Sequence, residues 1–384
     1  MRRSHFLFLL IVLLMLALPA CRSGGEEKSF PKTLQITAEL PEDCPDQVTA
    51  YNLTWYKPGE QAAVGAFMGE DSPERVFDDG NSAMGPQYRG EHAGSREILN
   101  LYTEQVQGGL NYSFYSSLED DDVRIRDEEI LAYYLRRQQP WESVACNLLP
   151  WKYGNGSMEQ ADSENLDFLP YKDALAQVEG KMSACAFPEH ELLLGEAHSL
   201  ALLNKNRFIY NRAAKEQGEE TLPDTLTNED EYYHFTFRQT LDGIPFCNAY
   251  WARNAFGKGG SPCITAIWNQ DGLVDFSADS LVEPGEAVST DKIITPEEAL
   301  SVYVEDYSKA IHFENTEILK VELNYLILAD SKNLYARPAW VITTATERKA
   351  GRGETPHDFD FTEYEVTAVG AYSGVILERE TDMR

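Results

Sequence analysis

TPEEALSVYVEDYSKAI, Thr295 to Ile311, is followed a few residues later by LKVELNYLI, Leu319 to Ile327, and between the two the period of the chain changes. Thr295 stands at an N-cap, Pro296 at the first helical position, and Glu298 three residues after the threonine, the pattern of a capping box. Ala299, Leu300, Tyr303, Val304, Tyr307, Ala310 and Ile311 then recur at helical spacing, which leaves Glu305 and Asp306 on the outer face. From Leu319 the period is two. Leu319, Val321, Leu323, Tyr325 and Ile327 alternate with Lys320, Glu322 and Asn324, the signature of a half-buried strand. Ala339 to Thr344 reads as a second strand, residues 351–360 as a polar loop, and Tyr364 to Ala371 as a third strand. Ser373-Gly374 turns that strand into a last one, Val375 to Glu378. The pattern predicts one helix packed on an antiparallel sheet.

A weaker copy precedes it. Lys172-Asp173-Ala174-Leu175 opens a helix with Val178, Met182 and Cys185 inward, weakened by Gly180. Leu192 to Leu203 fits a strand or a helix equally well. Tyr232 to Gln239, Phe246 to Arg253 and Ile264 to Trp268 read as strands. Leu241-Asp242-Gly243-Ile244-Pro245 and Asn269-Gln270-Asp271-Gly272 read as turns, the second leading to Leu273-Val274-Asp275-Phe276. In the N-terminal third, Leu34 to Leu40, Val48 to Tyr56, Glu97 to Tyr102 and Leu110 to Tyr115 are expected strands. Residues 69–94 are an expected loop and Asp127 to Arg137 an expected short helix, with Ile130, Leu131 and Tyr134 inward. The expected fold class is α+β, and the units are 1–20, 21–33, 34–165, 166–290 and 291–384: leader, tether, β-rich N-terminal region and two similar modules.

The first of these units carries an address. Arg2 and Arg3 precede an apolar run of 13 residues, Phe6 to Leu18, which is the length of a secretory leader and too short for an ordinary membrane span. After it the chain is polar from Arg22 to Ser29, as a flexible tether should be. Lys plus Arg number 33 against 63 Asp plus Glu, a formal charge of −30. That balance excludes a nucleic-acid partner and adhesion to anionic lipid through surface charge. Six cysteines are present: Cys21, Cys44, Cys146, Cys185, Cys247 and Cys263. Without Cys21 the count is odd, so at least one has no partner within the chain. Cys247 and Cys263 flank a strand–loop–strand and are the candidate disulfide, set against two separate thiols.

Leu18-Pro19-Ala20-Cys21 resembles the lipobox of bacterial lipoproteins, in which the cysteine takes a diacylglyceryl thioether with palmitate-type chains and becomes the mature N-terminus. An ordinary signal peptide ending at Ala20 is the alternative. Further along, Arg337-Pro338-Ala339-Trp340-Val341 and Val369-Gly370-Ala371-Tyr372-Ser373-Gly374-Val375-Ile376 resemble the closing strand and hairpin of PepSY-like modules and of extracytoplasmic regulators of the YycH/YycI type. Tyr232-Tyr233-His234-Phe235 through Leu241-Asp242-Gly243-Ile244-Pro245 is similar to the sister motif of a preceding module. The whole chain resembles a group of clostridial surface lipoproteins, and the PepSY-like likeness covers residues 166–384. It implies tandem PepSY-like modules on the outer face of a Gram-positive cell membrane that inhibit, chaperone or modulate a protein partner, with no catalytic residues to carry over.

Motifs for chemistry are missing. The sequence has no His-Glu-x-x-His, no Gly-x-Ser-x-Gly and no Cys-x-x-Cys. Ser289-Thr290-Asp291-Lys292 has the Ser-x-x-Lys form, but in an expected linker and without companion motifs. Cys185, His190 and His198 are the nearest approach to a metal-ligand cluster, and His234 lies in an expected strand. Glu119 to Asp122 with Asp127 to Glu129, and Glu216 to Glu231, are acidic stretches without the order of a calcium loop. Trp251, Trp268 and Trp340 are expected between helix and sheet. The expectation is therefore a lipid-anchored extracytoplasmic protein, non-enzymatic, without cofactor or metal, that binds or modulates a cell-surface protein. The alternative is a solute- or glycan-binding lipoprotein serving uptake.

Overall fold

The chain alternates between stretches whose apolar residues suit one helix face and stretches that suit both faces of a sheet. The computed structural model describes residues 31–68, 74–77, 87–92, 95–101, 114–116, 123–125, 131–136, 163–217, 221, 225–247, 262–329, 333–349 and 361–377. Met1–Lys32 is one unit and Thr33–Arg384 another. The first part of the larger unit holds β1 (Leu34–Ile36), β2 (Gln47–Trp55), α1 (Glu60–Met68), β3 (Glu74–Phe77), β4 (Gln87–His92), β5 (Ser95–Leu101), β6 (Phe114–Ser116), β7 (Val123–Ile125) and β8 (Leu131–Arg136). Next come α2 (Tyr171–Ala184), β9 (His190–His198), α3 (Leu200–Gln217), β10 (Tyr232–Leu241), β11 (Ile244–Pro245), β12 (Cys263–Asn269), β13 (Gly272–Asp279) and β14 (Val282–Lys292). α4 (Pro296–Tyr307), β15 (Thr316–Ala329), β16 (Leu334–Arg348) and β17 (Phe361–Gly370) complete it.

These elements form a mixed α and β fold dominated by antiparallel sheet. One sheet runs β1-β15-β16-β2-β14, with β17 also on β16; the other runs β11-β10-β12-β13-β8-β5-β4-β3, with β9 also on β10. β6 and β7 pair separately. The first sheet is antiparallel except where β1 lies parallel to β15. Its α4 face buries Leu300, Tyr303, Tyr325 and Trp340. Its other face buries Leu326, Leu328, Val341 and Ala368. The second sheet packs Tyr233, Phe235 and Phe237 of β10 with Ala174, Val178 and Met182 of α2 and with Phe67 of α1. The sheets are linked. Arg238 on β10 bonds Glu322 on β15, the Gln239 side chain bonds both the N–H and the C=O of Val282 on β14, and Phe246 bridges Tyr325.

Several expectations are met residue by residue. The Thr295 hydroxyl accepts from the Glu298 N–H, and the Glu298 carboxylate accepts from the Thr295 N–H. Asp242 and Gly243, both at positive φ (53° and 73°), form the two-residue turn between β10 and β11. Asn269 pairs with Gly272 across the second hairpin. Trp340 is fully buried and donates from Nε1 to the Ile294 carbonyl, and Trp268 belongs to the other core. Ala371 N–H donates to the Pro338 carbonyl, so the Pro338-Ala339-Trp340 strand and the Ala371-Tyr372-Ser373-Gly374 hairpin lie side by side.

Other expectations are corrected. Asp127 to Arg137 is not a helix where it is described: Leu131–Arg136 is a strand between β13 and β5. Its apolar run has no polar interruption to set a helical phase, and a strand paired on both edges needs none. The stretch 69–94 holds the hairpin strands β3 and β4 rather than loop alone. These are short, charged strands at the end of their sheet, where composition differs little from loop. Ser289 to Lys292 is the end of β14, paired with β2, not a linker. Leu192 to Leu203 divides into the end of a strand and the start of a helix. Of Leu34 to Leu40 only the first three residues are strand. Leu319 falls at a bulge between Ile318 and Lys320, so Ile318 is buried in its place. The last expected strand is a bridge, Val369 to Ile376. Residues 248–253, 350–360, 126–130, 110–113 and 102 lie outside the described residues, as does Trp251.

Candidate functional site

The capping box starts α4 and Ser308 closes it, with the Ser308 N–H on the Val304 carbonyl. The helix buries Ala299, Leu300, Tyr303 and Tyr307 against the sheet, so its last turn brings two tyrosines to one end of β15, β16 and β17. From there residues 308–315 lead directly into β15. His312 folds back over Tyr307: the rings lie 3.5 Å apart at 7°, and His312 Nε2 is 2.8 Å from the Tyr307 carbonyl, which makes it the donor. The Tyr307 hydroxyl reaches Thr316 and Thr33, and Thr316 bonds Thr346 at 2.9 Å. The neighbouring Tyr303 hydroxyl is pushed up to about 12 by burial.

Around these groups is a cleft of about 660 Å³. Asp306, Glu314, Glu365 and Arg348 give it charge, and Ile311 and Phe313 give it apolar surface. Phe313 is 88% exposed and Ile311 82%, the two most exposed large apolar side chains among the described residues. Arg348 is held between Glu314 and Glu363, with Nε 2.6 Å from the latter. Those hydrogen bonds outweigh its partial burial and raise its pKa, so the guanidinium stays charged and occupied. Glu365 and Asp306 are exposed; Lys309, also exposed, reaches Asp306 at 3.1 Å. The cleft is thus an aromatic shelf with two projecting apolar side chains and an acidic rim.

A second group of polar side chains is buried between strands. Glu196 and His198 alternate along β9 and meet His234 and Tyr232 of β10 in register. Glu196 Oε2 lies 3.1 Å from His234 Nδ1 and 3.7 Å from His198 Nε2, and all three residues are at most 3% exposed. Burial drives the His198 pKa down. Burial alone would raise Glu196, but the hydrogen bond from His234 and the interactions with both imidazoles lower it to about 2. His198 stacks on Tyr232 at 4.4 Å, and neither of its ring nitrogens has a hydrogen-bond partner. Among the described residues no group of three His, Cys, Asp or Glu has the arrangement to hold a metal ion.

The structure separates the cluster suggested by spacing. His198 joins Glu196 and His234, His190 bonds the Pro188 carbonyl, and Cys185 lies in the core with its thiol pushed up to about 11 by burial. Cys247 is buried with its N–H on the Tyr325 carbonyl, and Cys263 opens β12 opposite Asp279. Cys44 bonds the Pro41 carbonyl. Cys21, Cys146 and the acidic stretch at 119–122 and 127–129 lie outside the described residues. In the second acidic stretch, Asn228–Asp230 is a capped 3-10 turn and the Glu231 carboxylate accepts from the Leu200 N–H at the start of α3. The sequence reading missed the cleft: it put Ala310 and Ile311 on the inner face of the helix, whereas α4 ends at Tyr307 and Ile311 is in solvent, and it did not single out Phe313. It also missed the Glu196, His198 and His234 group, although the two-residue spacing of Glu196 and His198 was a signal for it.

The chain matches no protein-family model and no curated protein. A solved structure is similar in fold: the 1.45 Å crystal structure of an uncharacterized protein from Eubacterium rectale. It covers 91% of each chain, with a TM-score of 0.54 and 12% identity. The likeness extends over nearly the whole chain and is one of fold. No helix among the described residues is long and apolar enough to cross a membrane.

Proposed function

We propose that this protein is a membrane-anchored extracytoplasmic lipoprotein, non-enzymatic, that binds or modulates a protein partner at the cell surface. The observation that carries the binding role is the projection of Ile311 and Phe313 beside a cleft. Exposed apolar side chains grouped at one place, rimmed by charge, mark interaction sites. The anchor rests on Leu18-Pro19-Ala20-Cys21 after the apolar leader, with Cys21 as the lipidated residue. α2 on one sheet and α4 on the other support reading the two halves as tandem PepSY-like modules. A Cys247–Cys263 disulfide is part of the same proposal, since an extracytoplasmic protein meets oxidising conditions; non-reducing peptide mapping tests it.

Acyl labelling in cells tests the anchor. Label is expected on the wild type and lost in Cys21→Ser, and an unlabelled wild-type chain would remove the anchor from the proposal. A photo-crosslinking residue at position 313 in intact cells is expected to capture a protein, and failure to capture one on a surface-displayed chain refutes partner binding. The size of the cleft favours a second reading, a small solute or glycan, because about 660 Å³ lies in the range of small-molecule sites. A thermal-shift screen against sugars, peptides and amines separates the two, with a saturable sugar hit favouring uptake.

A further inference from the structure

We infer that the cleft at the end of α4 receives a short basic and apolar segment, in which Lys or Arg neighbours an aromatic or aliphatic side chain. The inference rests on the partner-binding reading and adds the chemistry of the partner. Charge comes first. Of the groups lining the cleft, Asp306, Glu314 and Glu365 are acidic and Arg348 alone is a permanent cation. Arg348 is already paired with both Glu314 and Glu363, so its charge is balanced within the chain before any carboxylate from outside arrives. Glu365 and Asp306 remain exposed as acceptors, on a chain whose formal charge is −30. An approaching anion is therefore repelled and a cation drawn in.

Ile311 and Phe313 supply the apolar surface. The segment that carries them is pinned on both sides, by His312 stacked on Tyr307 and by β15 starting at Thr316. The two side chains are thus presented by ordered backbone, which lowers the entropy lost on binding. The polar floor gives a sugar few open donors: the Tyr307, Thr316 and Thr346 hydroxyls bond one another, and His312 Nε2 is spent on a carbonyl. Sugar recognition needs open donors and acceptors in fixed positions; a basic and apolar peptide needs a carboxylate beside an apolar surface, which is what the cleft offers.

The test uses the full chain in detergent and a labelled twelve-residue peptide alternating Lys with Phe or Leu, compared with the same peptide bearing Glu for Lys and with one bearing Ser for the apolar residues. Binding is read by fluorescence anisotropy. The Lys and apolar peptide is expected to bind, with affinity falling as salt rises. Phe313→Ser with Ile311→Ser is expected to weaken it about tenfold or more. Asp306→Asn with Glu365→Gln is expected to weaken it several-fold, whereas Asp173→Asn with Glu179→Gln, the same charge change on the exposed side of α2, leaves it unchanged. Equal losses from the two charge variants would show adsorption to net charge alone and overturn the inference. Equal binding of the Glu peptide, or no binding of any peptide, would also overturn it. Crosslinking from position 313 keeps the two levels apart: a captured protein whose linked segment lacks Lys and Arg refutes the inference and upholds partner binding, while no captured protein refutes partner binding itself.

Discussion

Replacing Arg238 by Met tests how the two sheets are held together. Arg238 is 8% exposed on β10, and its guanidinium makes a two-point contact with Glu322 on β15, at 2.7 and 2.8 Å, while Nε reaches Glu191 at 2.6 Å. Burial would raise the Glu322 pKa, but Arg238, with help from Asn324 and Lys320, lowers it from 4.5 to about 2. That difference corresponds to about 3 kcal/mol of favourable interaction with the ionised carboxylate at neutral pH. Lys320 and Asn324 remain after the substitution, so the loss assigned to Arg238 is about 2 kcal/mol, below the cost of stranding a wholly buried charge. A lowered carboxylate stabilises fully above its unfolded value near 4.5, and that contribution is lost as pH falls through about 2. Arg238→Met should therefore cost about 2 kcal/mol in urea unfolding at pH 7 and much less at pH 2. Glu322→Gln, alone and combined with Arg238→Met, completes a cycle that isolates the pair. A loss under about 0.5 kcal/mol at pH 7, or the same loss at both pH values, would refute the assignment.

Three further outcomes are expected. Thr295→Ala removes the acceptor for the Glu298 N–H and should cost about 1 kcal/mol in denaturant unfolding, with Thr295→Ser close to wild type. Tyr233→Phe removes a buried hydroxyl that accepts from the Leu166 N–H and donates to the Leu169 carbonyl; a cost of about 1–3 kcal/mol should appear as a lower midpoint. His198, lowered from 6.5 by burial, takes up its proton later in the folded chain than in the unfolded one, so stability should decline as pH falls below about 6.5. His198→Gln should flatten that slope between pH 5 and 7, with Glu196, His234 and Tyr232 as the groups facing it. An unchanged slope in the variant would place the dependence elsewhere.

What could be read in the sequence was local. Thr295, Pro296 and Glu298 specify a helix start within four residues, and Asp242-Gly243 and Asn269 to Gly272 specify hairpins within their own turns, so tertiary context had little to add. The errors come where neighbours decide. Leu131–Arg136 is a strand because β5 and β13 flank it, partners about 30 and 145 residues away in sequence. Leu319 faces out because a bulge absorbs one residue, and alternation cannot show a bulge in advance. Leu34–Ile36 lies parallel to β15 nearly 300 residues later, and nothing near Leu34 announces that partner. The same limit hid the candidate site. Phe313 and Ile311 are apolar residues after a helix, and only the direction in which residues 308–315 enter β15 leaves them in solvent.

The long-range pairing of β1 also bears on where the cleft can work. Thr33 immediately precedes β1; its carbonyl accepts from the Thr316 N–H and its hydroxyl reaches Tyr307, so the chain enters the folded unit at the cleft floor. On the proposed lipidation of Cys21, twelve Cα-to-Cα steps lead from the anchored cysteine to Thr33, and a fully extended chain of that length reaches no more than ~43 Å. If that anchor is present, the cleft lies within that reach of the bilayer, where a membrane-bound partner is held at high effective concentration and a freely diffusing one gains nothing from the anchor. A weak cleft suffices in that arrangement. Two apolar side chains and two exposed carboxylates, one of them beside Lys309, form a small contact, too small for tight capture from dilute solution, but adequate between two proteins confined to the same surface.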